Sequence, residues 1–256
     1  MDELIISYAS GSGSTTCYSS SGRSDACSED DWIVQPLLTG MRLAVIDGVT
    51  FTPQTPVSRP IDVAAAHPAG LVRTALKSYR PAADVIKEVN GTMFQAAEFV
   101  DVPRDRPQAT CVVLDLVPPA PVQLLQAGDC MAWLKTGGVW RSAFPGDVHT
   151  SEYRRLERSA RRAEQDHAAH LDATRSIPET IEHWWSTPLG RFPEARVRAI
   201  EVVDPDEVVL ASDGALLSTE MMADLPEAMR SVWDRQRAAR LPKKTDDVTV
   251  LHWRRD

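Results

Sequence analysis

Aspartate stands beside glycine at the end of three apolar segments of the sequence. The three pairs are Asp47-Gly48, Gly128-Asp129 and Asp213-Gly214. A neighbouring glycine lets the backbone approach a ligand closely, so a backbone carbonyl can join carboxylate oxygens around a hard cation. Mg²⁺ and Mn²⁺ are the cations that prefer such oxygen ligands. A single Asp-Gly pair is more often an ordinary turn, but three of them at strand ends predict a divalent-cation site.

Further acids stand immediately before two other apolar segments. The first group is Glu29-Asp30-Asp31 and the second is Asp246-Asp247. An acidic pair on its own is usually a solvated surface feature. Because acids recur at the boundaries of several elements, we interpret all five places as contributions to one acidic site.

Hydrophobic spacing predicts the elements that must position these acids. Apolar segments predict strands at 4–8, 32–34, 42–46, 109–116, 122–127, 130–134, 139–141, 197–203, 207–212 and 248–253. Helical spacing predicts helices at 61–76, 85–97 and 217–240, and a polar, Arg-rich segment predicts one at 150–173. The Ser-, Gly- and Thr-rich residues 9–27 are interpreted as a loop.

The order of these elements indicates the α+β class. Strands 32–34 and 42–46 are expected to pair as a hairpin, and the four strands between 109 and 141 as an antiparallel meander. Helices interrupt the strands in pairs rather than as single crossovers, which favours antiparallel sheets covered by helices over a doubly wound sheet. We expect one domain over residues 1–256, with a helical or irregular insertion at about 150–193.

Length and composition argue against several classes of protein. The 256 residues carry 28 basic and 36 acidic side chains, a formal charge of −8, which disfavours nucleic acid as a partner. No apolar run approaches the roughly 20 residues of a membrane span, so no membrane association is expected. The four cysteines form no Cys-x-x-Cys pair and the start of the chain is acidic, so we expect reduced thiols and a cytoplasmic location. A monomer is the default expectation.

Five segments, in order along the chain, resemble motifs of the PPM family, the metal-dependent protein phosphatases of type 2C. The family motifs are Arg…Glu-Asp, Phe-Ala-Val-x-Asp-Gly, Gly-Asp-Ser-Arg, Leu-x-Ser-Asp-Gly and Asp-Asn-x-Thr-Val. They are matched by residues 23–30, 43–48, 127–134, 210–214 and 245–250. Each motif alone is weak, but together they cover nearly the entire chain. The resemblance implies a four-layer αββα sandwich, in which two antiparallel β-sheets are flanked by helices and the site lies at one edge.

The resemblance also implies a role for each acid. Asp47 would bridge two ions, Mn²⁺ or Mg²⁺, and Asp129 would serve a third. The implied ligands of the two ions are Glu29, Asp30, Asp47, the carbonyl of Gly48, Asp213 and Asp246. The implied activity is a serine/threonine phosphoprotein phosphatase, in which a water bridging the two ions attacks the phosphomonoester with Asp47, Asp213 and Asp246 as the catalytic residues.

Three departures from the family pattern motivate a second hypothesis. Asp25 stands where the family carries the Arg that grips the substrate phosphate, and Arg23 is the nearby substitute. Val49 stands where Met or His is common, and Leu217 replaces a further Asp that would help Asp129 hold the third ion. The alternative is therefore a weakly active or inactive phosphatase-like module that binds a protein partner.

A third hypothesis is a cysteine-dependent phosphatase. Cys17 and Arg23 satisfy a Cys-x5-Arg-Ser pattern, in which backbone amides and the Arg bind phosphate around a thiolate. That loop should follow an apolar strand and open a helix. Here the preceding residues are polar and the following ones acidic, so an ordinary Ser-rich loop is favoured.

Three other features have two interpretations each. His167 and His170 could share a metal, but a solvated helix face is favoured because no further ligand stands at the right spacing. The basic face of residues 154–162, from Arg154 to Arg162, could attract a phosphoprotein or an acidic partner, or could simply be solvated. Trp184 and Trp185 could form a substrate-facing flap or a packing anchor.

Overall fold

The computed structural model describes residues 3–10, 13–20, 29–49, 67–97, 106–117, 120–144, 188–238 and 247–255. The strands are β1 Glu3–Ser10, β2 Gly13–Ser20, β3 Asp30–Leu37, β4 Gly40–Val49, β5 Gln108–Leu116, β6 Val122–Ala127, β7 Met131–Thr136, β8 Val139–Ser142, β9 Arg198–Val202, β10 Glu207–Ala211 and β11 Val248–Arg254. The helices are α1 Pro68–Leu76, α2 Ala82–Ala96 and α3 Leu225–Ala238, with 3-10 turns at Asp213–Ala215 and Thr219–Asp224.

These strands form two sheets in which every paired strand is antiparallel. The first sheet has the order β1-β2-β11-β10-β7-β8, and the second has the order β3-β4-β5-β6-β9. Apolar side chains from both sheets form one buried layer between them. A second layer lies between the second sheet and helices α1 and α2, and a third lies between the first sheet and α3. The predicted α+β sandwich of two antiparallel sheets flanked by helices is confirmed.

Strand β4 illustrates why this sequence suits a central position. Successive side chains of a strand point to opposite faces of the sheet. Leu43 and Val45 face the first sheet, whereas Ala44 and Ile46 face α1 and α2. A strand covered on both faces needs apolar residues at consecutive positions. The hairpin predicted from this run is confirmed as the β3–β4 pair.

The prediction of a loop at residues 9–27 is wrong for the part that forms β2. This strand lies between β1 and β11, so its backbone groups are hydrogen-bonded on both sides. Thr15 and Cys17 are buried, and the Ser20 hydroxyl donates to Gln236 Oε1 on α3 at 2.7 Å. Tertiary pairing therefore overrides the weak strand propensity of a Ser- and Thr-rich segment.

The predicted meander is also wrong, because β6 and β7 belong to different sheets. β6 pairs with β5 and β9 in the second sheet, whereas β7 pairs with β8 and β10 in the first. The chain crosses between the sheets at Gly128, which has a φ of +83°. A Cβ at this position would lie 2.3 Å from the Thr110 Cγ2 atom, so only glycine allows the crossing.

The helix predicted at 217–240 begins later than the sequence predicts, and α2 begins slightly earlier. Residues 219–224, which were expected to be α-helical, form a 3-10 turn before α3. The start of the first predicted helix and the whole helix predicted at 150–173 lie outside the described residues. No helix within the described ranges is both long and apolar enough to span a bilayer.

Arg42 of β4 is almost completely buried and joins the second sheet to the helices. Its Nε and Nη2 atoms donate to both carboxylate oxygens of Asp115 at 2.6 and 2.8 Å. Nη1 donates to the carbonyls of Leu76 and Ser78, and Nη2 to that of Arg80. The guanidinium thus satisfies carbonyls at the C-terminal end of α1, where a positive charge is favoured, and holds the α1–α2 connection against β4.

We expect Arg42→Leu to lower the free energy of unfolding by about 3–5 kcal/mol, because the substitution leaves Asp115 buried without its partner. The measurement is urea denaturation followed by circular dichroism. Arg80→Leu is the matched control, since Arg80 forms an exposed pair with Glu88 and should change stability by less than about 1 kcal/mol. Equal losses in the two variants would contradict the role given to Arg42.

Candidate metal centre

Two acids face each other across the β3–β4 pair at one end of the second sheet. Asp30 and Asp47 are direct partners in the register of these strands. The Gly48 N–H group donates to the carbonyl of Glu29 at 3.1 Å. A Cβ at position 48 would lie 2.7 Å from that carbonyl oxygen, so glycine is needed for this close approach. The backbone thereby holds the two carboxylates side by side.

The first sheet contributes polar groups to the same place. The Ser212 hydroxyl, just after β10, donates to Asp30 Oδ2 at 2.7 Å and accepts from the Thr249 N–H group at 3.0 Å. Asp247, just before β11, accepts from the Glu29 N–H group through Oδ2 at 2.5 Å. These hydrogen bonds join the two sheets at the edge where the strand ends meet.

Asp47 is the most strongly perturbed acid of this group. Burial raises the pKa of its carboxyl well above the ordinary value, and the charges of Asp30, Asp213 and Asp129 raise it further. The Asp213 side chain is also within hydrogen-bonding reach of Asp47. Residues from the turn after β10 and from the crossing between the sheets therefore act on one carboxylate.

Asp30 shows the same effect in a smaller degree. Burial raises its pKa from 3.8 to about 7, and the charges of Asp247 and Asp213 add to this shift. The hydrogen bonds that Asp30 accepts from Ser212 and from Asp47 lower its pKa. We call Asp30, Asp47, Asp129, Asp213 and Asp247 the acidic cluster. Burial and the charges of the neighbouring acids both make ionisation of Asp30 and Asp47 unfavourable.

Comparison with known proteins identifies the fold. The sequence matches no protein-family model and no curated protein. The structure is similar to the PPM Ser-Thr phosphatase MsPP from Mycobacterium smegmatis in complex with cacodylate, with 15% identity over 96% of this chain and 100% of that chain and a TM-score of 0.61. The chain has the PPM phosphatase fold.

Two further solved structures have the same PPM fold. The serine/threonine phosphatase Stp1 from Staphylococcus aureus is 14% identical over 94% of both chains, with a TM-score of 0.59. RsbX in complex with magnesium is 11% identical over 99% of this chain and 100% of that chain, with a TM-score of 0.60. At such low identity, the likeness concerns the fold, and the chemistry must be argued from the residues of this chain.

Most of the acids that the sequence singled out lie together in this PPM fold. Asp47, Asp213, Asp30 and Asp129 act electrostatically on one another, and Glu29 lies next to Gly48 through the backbone hydrogen bond. Arg23 and Asp246 lie outside the described residues. Within the described ranges, no three His, Cys, Asp or Glu side chains already form a group at metal-ligand spacing.

Sequence reasoning missed the part played by Asp247. The resemblance treated this residue only as a replacement for the Asn of the closing PPM motif. In the structure Asp247 is buried, accepts a hydrogen bond from Glu29 and raises the pKa of Asp30. The adjacent acids Asp246 and Asp247 in the sequence indicated a contribution to the site. Spacing alone cannot show which of two adjacent acids faces it.

A histidine that sequence reasoning did not connect with the site precedes α1. The N-terminal turn of this helix packs on the acidic edge, since a Cβ at Gly48 would lie 3.5 Å from the Ala69 Cβ atom. His67 immediately precedes the helix, is exposed, and makes no side-chain capping hydrogen bond. The residues directly after Gly48 include no histidine, and His67 precedes the helix that packs on this edge.

The structure contradicts the interpretation of Cys17 as a phosphatase nucleophile. Cys17 lies within β2, has no exposed surface, and contributes to the layer between the sheets. Burial raises the pKa of its thiol to about 12, whereas a nucleophilic cysteine requires a lowered pKa. The companion residue Arg23 lies outside the described residues.

We expect the metal-free protein to lose stability as the pH rises from about 4 to about 7. Asp30 ionises near pH 4 when unfolded but near pH 7 when folded, so the native state binds more protons across this interval. Asp30 alone should contribute a loss on the order of 3 kcal/mol, since one pKa unit corresponds to about 1.4 kcal/mol. Urea denaturation at a series of pH values, with chelator present, measures it.

Asp30→Asn should make this pH dependence shallower, because the amide does not titrate, and the slope that remains reflects the raised pKa of Asp47. Asp84→Asn on the exposed surface of α2 is the control and should keep the wild-type slope. A wild-type stability that stays constant or rises over the interval would refute the assignment of a raised pKa to Asp30.

Proposed function

We propose that the protein is a metal-dependent phosphatase that hydrolyses phosphoserine and phosphothreonine monoesters of proteins. The observation that carries this proposal is the convergence of Asp30, Asp213 and Asp129 on Asp47 at the edge where both sheets meet. The PPM fold supports the same conclusion, since the proteins that share it include serine/threonine phosphatases.

The donor set of this edge fits hard divalent cations. The side chains proposed as ligands are carboxylates, and such oxygens suit Mg²⁺ and Mn²⁺. Burial and neighbouring negative charges raise the pKa of Asp47 and Asp30. A bound cation would favour the ionised carboxylates and so lower both pKa values. The residues proposed to hold two ions are Glu29, Asp30, Asp47, Gly48, Asp213 and Asp246, with Asp129 available to a third. When bound, such ions lower the pKa of a shared water and neutralise phosphoryl oxygens.

The residues of the chain then have distinct tasks. Asp47 presents a carboxylate oxygen that accepts a hydrogen bond from the attacking water and so orients it. Ser212 holds the Asp30 carboxylate in place through its 2.7 Å hydrogen bond. We propose that Arg23 holds the substrate phosphate and that His67 donates a proton to the oxygen of the leaving alcohol.

A specific observation favours the second candidate, a weakly active or inactive module that binds a protein partner. Leu217, at the position where a further acid would help Asp129, is buried in the apolar layer beneath α3. Its side chain therefore supplies no ligand for a third ion. Such a module would retain Asp47 and Asp213 and bind cations without turning over substrate.

We expect the wild-type protein to release phosphate from a phosphothreonine peptide in Mn²⁺ and to stop when chelator is added. Asp47→Asn and Asp213→Asn should each lower kcat/KM by roughly a hundredfold or more, because bound ions lower the barrier by several kcal/mol. Malachite-green detection of phosphate measures the rates. Cys17→Ser is the control and should retain activity.

Two other outcomes would support the alternative hypotheses, the cysteine-dependent phosphatase and the binding module. Metal-independent release that only Cys17→Ser abolishes would establish the cysteine-dependent reaction. Absence of release with any metal, together with calorimetric Mn²⁺ binding that Asp213→Asn abolishes, would establish the binding module.

We expect His67→Asn to lower kcat for a phosphoserine peptide by about a hundredfold, the lower end of the range for general acid catalysis. The same variant should affect p-nitrophenyl phosphate much less, because its leaving phenolate needs no proton. Steady-state kinetics with both substrates measures the difference. His252→Asn, in β11 but far along the strand from Asp247, controls for loss of a histidine. Equal losses on the two substrates would show that His67 does not protonate the leaving group.

A further inference from the structure

Leu216 occupies an unusual position beside the acidic cluster. It directly follows the 3-10 turn Asp213–Ala215 and its N–H group donates to the Asp213 carbonyl at 3.0 Å. Its backbone is left-handed, with φ 48° and ψ 41°. Its side chain is 63% exposed, whereas both chain neighbours, Ala215 and Leu217, are buried.

Neither feature of Leu216 favours stability. A left-handed conformation brings Cβ close to the following carbonyl, which is why glycine and asparagine are preferred there. An exposed leucine also forgoes the benefit of burial. Glycine at this position would relieve the backbone and remove the exposed apolar group. Strained residues of this kind cluster at functional sites, where the surrounding structure maintains them.

Asp204 also has a positive φ but differs from Leu216 in the chemistry of its side chain. It is the other non-glycine residue with positive φ within the described ranges. Asp204 is short and polar, and its carboxylate accepts a hydrogen bond from the Arg255 guanidinium. Aspartate tolerates the left-handed conformation better than most residues, whereas Leu216 has no polar side-chain group that could act in this way.

The turn places Leu216 at the rim of the proposed active site. A hydrogen bond between residues three apart keeps their Cα atoms within about 7 Å, so Leu216 lies that close to Asp213. A peptide whose phosphoryl group reaches the acidic cluster must pass its neighbouring residues over this rim. A distance of about 7 Å is about two residue spans of an extended peptide, so residues that flank the phosphorylated one can reach Leu216.

We propose that Leu216 is a specificity-determining residue that contacts an apolar side chain adjacent to the phosphorylated residue of the substrate. This inference rests on the proposed phosphatase function and deepens it. The substrate class is a phosphopeptide with an aliphatic or aromatic residue next to phosphothreonine, and a peptide with a polar residue there is disfavoured. Burial of the exposed leucine against such a side chain supplies the discrimination.

The test compares two phosphothreonine peptides that differ only in the residue after phosphothreonine, Leu in one and Asn in the other. The proteins are wild type, Leu216→Asn, Leu216→Gly and Leu38→Asn. Leu38 is the matched control because it is 90% exposed in the turn between β3 and β4, at the opposite end of that hairpin from Asp30. Rates are measured in Mn²⁺. Affinities are measured by fluorescence anisotropy with the corresponding non-hydrolysable phosphonate peptides.

Wild type and Leu38→Asn should prefer the Leu peptide by about tenfold in kcat/KM and in affinity, the lower end of discrimination by an apolar contact. In Leu216→Asn and Leu216→Gly that ratio should fall to about one. Leu216→Gly should also raise the unfolding temperature, which would show that leucine is kept at the expense of stability.

The failures of the two proposals are distinguishable. Hydrolysis of both peptides at equal rates and equal affinities would overturn the role of Leu216 and leave the phosphatase function standing. A tenfold affinity ratio without hydrolysis would support Leu216 and overturn the catalytic proposal. Absence of both turnover and discrimination would overturn the phosphatase function and the role of Leu216 together. A preference for the Leu peptide that persists in Leu216→Gly would show that other residues cause it and would overturn the role of Leu216.

Discussion

Electrostatic repulsion within the acidic cluster is the constraint on which the arrangement of this molecule depends. Asp30 and Asp47 are held opposite each other by the register of β3 and β4, and Asp213 approaches them from the other sheet. The Ser212–Asp30 and Glu29–Asp247 hydrogen bonds connect the sheets here despite the repulsion. A ligand that binds only the folded state stabilises it, so a cation at this edge would strengthen the junction between the sheets as well as serve chemistry.

Strand β4 carries a second buried charge that is satisfied in the opposite way. Arg42 donates hydrogen bonds to the carboxylate of Asp115 and to three backbone carbonyls, so its positive charge is compensated within the fold. Arg42 holds the C-terminal end of α1, and Gly48 at the far end of the same strand packs against the N-terminal turn of that helix. Helix α1, which His67 precedes, is thus held at both ends by one strand.

The sequence predicts the parts of the fold in which hydrophobic pattern and local pairing agree. The β3–β4 hairpin, α1, α2 and the closing strand β11 all have apolar patterns that indicate them. β2 could not be recognised, because its Ser and Thr residues gain stability only from β1 and β11 on either side. The change of sheet at Gly128 was equally hidden, since a glycine turn has the same local composition in a hairpin and in a crossing between sheets.

The order of strands in the first sheet has a consequence for how the molecule is assembled. β11 lies between β2 and β10, so the last of the described strands occupies a central place and pairs with one of the first. Contacts between such distant segments are slow to form, because a long loop must close before they repay its entropy. Asp30 and Asp47 are synthesised early, but Asp247 and the Ser212–Thr249 hydrogen bonds exist only after β11 has docked. A nascent chain therefore carries no complete acidic edge, and completion of this edge coincides with closure of the whole sheet.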